Sequence, residues 1–92
     1  MDLELELVAD GLLFPEGPIA MADGSVILVE VQAHRLSRVS PKGERTTIAD
    51  LGGGPNGAAI GPDGAVYVCN NGGMIVPGAE AGYTPQIGRA HV

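Results

Sequence analysis

The stretch FPEGPIA at residues 14–20 returns in altered form as GPNGAAI at residues 54–60. The two segments lie 56 − 16 = 40 residues apart, and the offset continues without a gap through the following hairpin. Pairs that keep this offset are Asp23 and Asp63, Val26 and Val66, and Glu30 and Asn70. A period of about 40 residues with four short strands per unit is typical of propeller blades. The repeat therefore predicts an all-β fold, a β-propeller of which this chain covers about one and a half to two blades.

Short apolar runs separated by turn sequences fill the repeat. Asp-Gly at 23–24 and 63–64 favours primed two-residue hairpin turns, because these residues accept positive φ cheaply. The 15 glycines and 7 prolines argue against long helices. The predicted strands of the first blade, from inner to outer, are residues 18–21, 25–30, 35–39 and 45–49; those of the second blade are residues 58–60 and 66–69.

Strict alternation from Leu3 to Val8 predicts one further strand, half-buried with its glutamates facing water. Because this segment precedes the first blade, we expect it to supply the outer strand of the last blade and to close the ring. One and a half blades cannot close a ring, and about three repeats are usually needed for stability. We therefore expect the isolated 92-residue chain not to be a stable, active monomer.

Composition excludes several classes of protein. The chain has 5 basic and 11 acidic residues, a net charge of −6, so its surface repels nucleic-acid phosphates. No run approaches the roughly 18 consecutive apolar residues of a membrane span. The acidic N-terminus is unlike a signal peptide, and a single cysteine cannot form an internal disulfide, so we expect a cytoplasmic protein.

The last six residues, IGRAHV at 87–92, follow no blade pattern. In one reading frame a common sequencing-adapter oligonucleotide translates to the same six residues. We therefore interpret residues 1–86 as the N-terminal part of a propeller domain and residues 87–92 as a non-native or truncated tail. A genuine loop is the alternative.

Two polar residues occupy equivalent places one repeat apart. Glu16 and Asn56 each follow a proline and precede a glycine, where the chain enters the innermost strand of a blade. Loops there line one mouth of the central channel, and carboxylate and amide oxygens suit a hard cation such as Ca²⁺. Ordinary turn chemistry is the alternative for both. We also predict that Asn70 ends a strand near the mouth, that Cys69 is a small core residue, and that His34 lies at the surface.

The motif at residues 14–18, followed by Asp23-Gly24 and an apolar strand, resembles the opening blade of the gluconolactonase-like family, which includes regucalcin and the luciferin-regenerating enzymes. Residues 53–73 resemble the second blade of its bacterial members, and the likeness covers roughly residues 11–78. The resemblance implies a six-bladed propeller that holds one catalytic divalent metal in its channel and hydrolyses lactones or related esters. Glu16 matches the family's first-blade metal ligand. The other ligands, an Asn and an Asp that also transfers protons, belong to later blades.

These implications predict a fragment of a metal-dependent lactonase or ester hydrolase that acts on small lactones or esters. The expected metal is Ca²⁺, with Zn²⁺, Mn²⁺ or Mg²⁺ as alternatives, and the isolated fragment should be inactive. Asn56 and Asn70 receive only a weak channel-facing or substrate-side role. The alternatives are a non-catalytic scaffold or ligand-binding propeller and a strictosidine-synthase-like propeller.

Overall fold

The computed structural model describes residues 4–72 and 86–91. Within these residues there are seven strands in two antiparallel sheets, and no helix is present that could cross a membrane. The first sheet has the strand order β1-β2-β3-β4 and the second the order β5-β6-β7. The strands are β1 Pro15–Ala20, β2 Val26–Glu30, β3 Arg35–Val39, β4 Arg45–Asp50, β5 Pro55–Ile60, β6 Val66–Asn70 and β7 Gln86–Ala90. The meander of short strands in successive sheets confirms the all-β, blade-like architecture.

The innermost strands begin earlier than the sequence predicts. β1 and β5 start at Pro15 and Pro55, three residues ahead of the predicted starts, because these prolines pair with Glu30 and Asn70 at the ends of β2 and β6. A register irregularity follows each proline and lets the chain remain in the sheet. Residues 16 and 56 therefore lie within strands and not in the preceding loops.

The Asp-Gly hairpins are not the predicted two-residue primed turns. The Gly24 amide donates to the Met21 carbonyl at 3.0 Å, and the Met21 amide donates to the Ser25 carbonyl at 2.9 Å, which closes a three-residue loop. Gly24 has a φ of +88°, whereas Asp23 is not left-handed. Asp23 instead accepts the Ser25 amide at 2.8 Å, a bond that secures this longer loop. The second blade repeats the pattern, and the prediction of primed turns was wrong.

Opposite faces of the two sheets meet in the core. In the first sheet, Val29 and Leu36 are fully buried, and they pack with Ile27 against Val66 and Val68 of β6. One repeat earlier, the residues equivalent to Val66 and Val68 are Val26 and Leu28, which lie on the other face of β2. The sheets therefore stack head to tail, the way blades follow one another around a propeller axis.

The outer face of the second sheet has no neighbour among the described residues. Ile87 pairs with Cys69 as Leu36 pairs with Val29, yet Ile87 is 75% exposed where Leu36 is fully buried. Cys69 is exposed as well. The prediction of a buried Cys69 was wrong, because strand alternation places it on the face that no further sheet covers here.

The C-terminal segment is part of the second sheet. β7 contains residues 87–90 and pairs with β6 as a third strand, although the sequence pattern gave no sign of one. Arg89 Nη1 lies 3.0 Å from Asp63 Oδ2, which repeats the 2.9 Å contact between Arg38 Nη2 and Asp23 Oδ2 in the first sheet. The native or non-native origin of residues 87–92 stays a prediction.

The predicted strand at residues 3–8 does not form in the part that is described. Leu3 lies outside the described residues, and residues 4–8 join no sheet. A strand needs an edge to pair with, and the last blade that was expected to supply one is not among the described residues. Residues 7 and 8 instead line a cavity with Val26, Leu28 and Val39 on the free face of the first sheet.

We predict that the isolated 92-residue chain does not behave as a cooperative monomer. Leu5, Leu7 and Ile87 are 95%, 76% and 75% exposed, and free strand edges invite pairing between molecules. Gel filtration and thermal unfolding, each with and without calcium, should show association or a broad transition. A sharp cooperative transition from a monomer would contradict this prediction.

Candidate metal-ligand site

The two innermost strands approach each other through their backbones. Gly17 in β1 has a φ of +58°, and a Cβ built on it would lie 3.1 Å from the Ala58 nitrogen and 3.2 Å from the Gly57 Cα. Only a glycine fits such a contact without displacing the neighbouring strand. Glu16 and Asn56 directly precede the two glycines that meet here. The fold therefore brings together the two chain positions from which the sequence predicted a shared role.

Glu16 has a carboxylate that the rest of the described chain leaves unused. Its side chain is exposed and has no hydrogen-bond or ion-pair partner in the described ranges. Asn56 is exposed and equally unpartnered there. Both side chains, which lie on the innermost strands, are therefore accessible to an external ligand.

Glu16 and Asn56 fit a hard cation by the chemistry of their oxygens but not by their number. Ca²⁺ takes roughly six to eight oxygen ligands. Over residues 4–72 and 86–91, no group of three or more His, Cys, Asp and Glu side chains could hold a metal ion. One carboxylate and one amide would thus be part of a site whose remaining ligands come from elsewhere.

Asn70 uses both ends of its amide within the protein. Its Oδ1 accepts the Gly54 and Gly72 amides, each at 2.9 Å, and its Nδ2 donates to the Gly52 carbonyl at 2.8 Å. These bonds fasten the end of β6 to the loop before β5. A substrate contact by Asn70, which stays a prediction, would have to replace at least one of them.

Glu30 holds the equivalent position in the first sheet and is fully buried. Its Oε1 accepts the Leu13 amide at 3.0 Å, while Arg35 donates through Nε and Nη2 at 2.7 and 2.9 Å. The Ser37 hydroxyl also donates to the Glu30 carboxylate. The hydrogen bond from Arg35 outweighs burial and, with Ser37 and Leu13, lowers the pKa of Glu30 to about 2. The carboxylate therefore stays ionised near neutral pH, and its stabilising contribution falls progressively as the pH drops from about 4.5, the ordinary pKa, to about 2.

The sequence analysis did not identify Glu30 as part of any arrangement near Glu16. The available signal was its alignment with Asn70, since both are polar residues that end an otherwise apolar strand. The partners of Glu30 could not be inferred, because Leu13 lies 17 residues earlier and the sequence pattern gives no account of the side chains in between.

His34 lies at the surface, as predicted, and fastens the connection between the blades. Its φ is +59°, and its carbonyl accepts the Leu51 and Gly52 amides at 2.7 and 3.2 Å. Its Nδ1 also forms a hydrogen bond with the Gly53 carbonyl. His34 thus serves the loop that leads from β4 to β5, and these contacts give it no catalytic arrangement.

Comparison with known proteins bears on the whole arrangement. A family model described as the SMP-30/Gluconolactonase/LRE-like region matches residues 14–87. A search of curated proteins found no match. The match spans both sheets, the contact of the innermost strands and the Glu30 and Asn70 positions. The chain therefore belongs to the SMP-30/gluconolactonase/LRE-like family of β-propellers.

Proposed function

We propose that this chain supplies two blades of a metal-dependent lactonase or ester hydrolase that acts on sugar lactones or similar small substrates. The observation that carries the proposal is Glu16, an exposed carboxylate without a partner among the described residues, next to the point where the innermost strands of two blades meet. The family match supports the proposal because its range, residues 14–87, includes Glu16. Ca²⁺ is the favoured metal, and Zn²⁺, Mn²⁺ or Mg²⁺ are alternatives.

Glu16 contributes a negative charge that attracts a hard cation and an oxygen that binds it. Asn56, at the equivalent position of the second blade, offers a neutral oxygen. A bound divalent cation would polarise the substrate carbonyl and lower the pKa of a bound water molecule. No residue of the described chain is assigned as the acid or base of the reaction, and we expect that group in other blades. The complete propeller is here the protein encoded by the full natural reading frame that contains this chain.

A non-catalytic ligand-binding propeller is the second candidate. It is favoured by the lack, among the described residues, of any cluster that could hold a metal by itself. The remaining blades distinguish these candidates. An Asn and an Asp at the equivalent entries of other innermost strands would favour the hydrolase over a non-catalytic propeller and over a strictosidine-synthase-like propeller. A cytoplasmic location and a small lactone or ester substrate belong to the hydrolase proposal.

In the complete propeller, Glu16→Gln should weaken calcium binding at least about tenfold and abolish lactonase turnover, while the thermal unfolding midpoint changes little. A charged ligand supplies most of the electrostatic attraction for a hard cation, and the exposed side chain has no hydrogen bond or ion pair to lose within the described part of the chain. Calorimetry, a lactone hydrolysis assay and thermal unfolding measure the three quantities.

Glu44→Gln is the matched control for this experiment. Glu44 is also exposed, and it lies in the turn between β3 and β4, away from the innermost strands. The same change of charge there should leave affinity and turnover as they were. If Glu16→Gln also leaves both unchanged, Glu16 is not a metal ligand and its proposed role is wrong.

A further inference from the structure

We propose that Glu30 is a positioning residue for Glu16: its buried carboxylate fixes the backbone at Leu13 and thereby sets how the chain enters β1. As far as it concerns a metal, this inference rests on the proposed function. The clamp itself rests on contacts within the first sheet alone.

The clamp holds the two residues that precede Pro15-Glu16. Glu30 Oε1 accepts the Leu13 amide at 3.0 Å, the Val31 amide donates to the Phe14 carbonyl at 2.9 Å, and the Gln32 amide donates to the Leu13 carbonyl at 3.2 Å. Pro15 lies opposite Glu30 in the ladder but has no N–H to donate. The bond to the Glu30 side chain therefore supports the entry of the strand where the ladder lacks one donor.

The clamped segment is strained. Phe14 has a φ of +59°, a left-handed conformation that costs a non-glycine residue roughly 1–2 kcal/mol. Such a conformation persists only where the surrounding contacts determine it. Phe14 is two residues before Glu16, and its side chain is 48% exposed, so the backbone bonds on either side are what maintain it. Loosening the Leu13 bond should allow this turn to relax and Glu16 to shift with it.

Glu30 is itself held rigidly by the neighbouring strands. Arg35 faces it across the β2–β3 ladder and binds both of its oxygens. On β4, Arg45 Nη1 lies 3.3 Å from Ser37 Oγ and 3.7 Å from Glu30 Oε2. The carboxylate is thus fixed by residues from two further strands, and its hydrogen bond to Leu13 is charge-assisted.

The second blade shows a related clamp in a neutral form, shifted by one residue, because Gly54 is the equivalent of Phe14 and not of Leu13. Asn70 accepts the Gly54 amide, and the Asn71 amide donates to the Gly54 carbonyl at 2.9 Å, just as Val31 donates to Phe14. The loop there contains glycine where the first blade has the strained phenylalanine, and an amide is sufficient. A carboxylate with arginine partners occurs in the blade whose innermost strand carries the charged candidate ligand, and this difference points to a positioning role.

Two measurements on the complete propeller test the inference. In Glu30→Gln, the peptide covering residues 11–18 should exchange its amide hydrogens faster, as measured by mass spectrometry. Calcium affinity, measured by calorimetry with the metal alone, should fall by about tenfold or more, the usual effect of losing a residue that orients a ligand. Arg35→Lys keeps the Glu30 carboxylate but loses the two hydrogen bonds that the arginine donates to it. This variant should change both readouts in the same direction, and it replaces Glu30→Gln as the test if Glu30→Gln does not fold.

Asp23→Asn is the matched control, because it breaks an ion pair with Arg38 at the other end of the same sheet. It should alter neither exchange at residues 11–18 nor calcium affinity. Unchanged exchange there in Glu30→Gln and Arg35→Lys would overturn the clamp. Faster exchange with unchanged calcium affinity would overturn the positioning role, provided that Glu16→Gln lowers the affinity. If Glu16→Gln has no effect on calcium affinity while exchange still rises in Glu30→Gln, the clamp stands and the proposed role of Glu16 as a metal ligand fails.

Discussion

The contact between the backbones of β1 and β5 at Gly17 is the constraint on which the rest of the arrangement depends. A side chain at this point would lie 3.1 Å from the Ala58 nitrogen, so the approach of the two innermost strands requires a glycine. The apolar contact of Val29 and Leu36 with Val66 and Val68 then closes the space between the sheets. The strand segments that carry Glu16 and Asn56 approach each other as a consequence of this packing.

The two blades share their hairpins but differ where they approach each other. Asp23 and Asp63 secure equivalent three-residue loops and pair with Arg38 and Arg89. The differences lie at the entrance to the innermost strands, where the first blade has a buried carboxylate and a strained phenylalanine, and the second has an asparagine and glycines. The two repeats thus resemble each other at the hairpin end of the sheets and differ in their side chains at the other end.

The sequence contained enough information for the periodic features of the fold. The 40-residue offset located both blades, the third strand at Arg35–Val39 was predicted with its observed bounds, and the motif around Glu16 indicated the family. The predicted turn type was wrong, because Asp-Gly fits more than one hairpin geometry; in the observed three-residue loops each aspartate carboxylate accepts the amide two residues further on. The strand starts at Pro15 and Pro55 were missed, because proline normally signals a strand boundary.

Features that depend on neighbouring sheets were beyond sequence reasoning. Alternation shows that Cys69 and Val68 face opposite sides but not which side is covered. The pattern at residues 3–8 is that of a strand, yet the blade expected to pair with it is not among the described residues. The Glu30 cluster joins residues from the loop before β1 and from β2 and β3, with Arg45 of β4 close by, so no local pattern indicates it.

The central claim is that the contact between the innermost strands leaves no room for a side chain at Gly17, whereas the facing Gly57 has open space on its Cβ side. The direct measurement compares Gly17→Ala with Gly57→Ala in the complete propeller by chemical unfolding. A Cβ at residue 57 meets no atom within 4 Å and residue 57 is not left-handed, whereas residue 17 has a φ of +58° and backbone atoms in the way. Gly17→Ala should therefore lower the free energy of unfolding by about 1–2 kcal/mol or more, while Gly57→Ala should leave it unchanged or slightly higher. Equal effects, or the larger loss at residue 57, would contradict the packing described here.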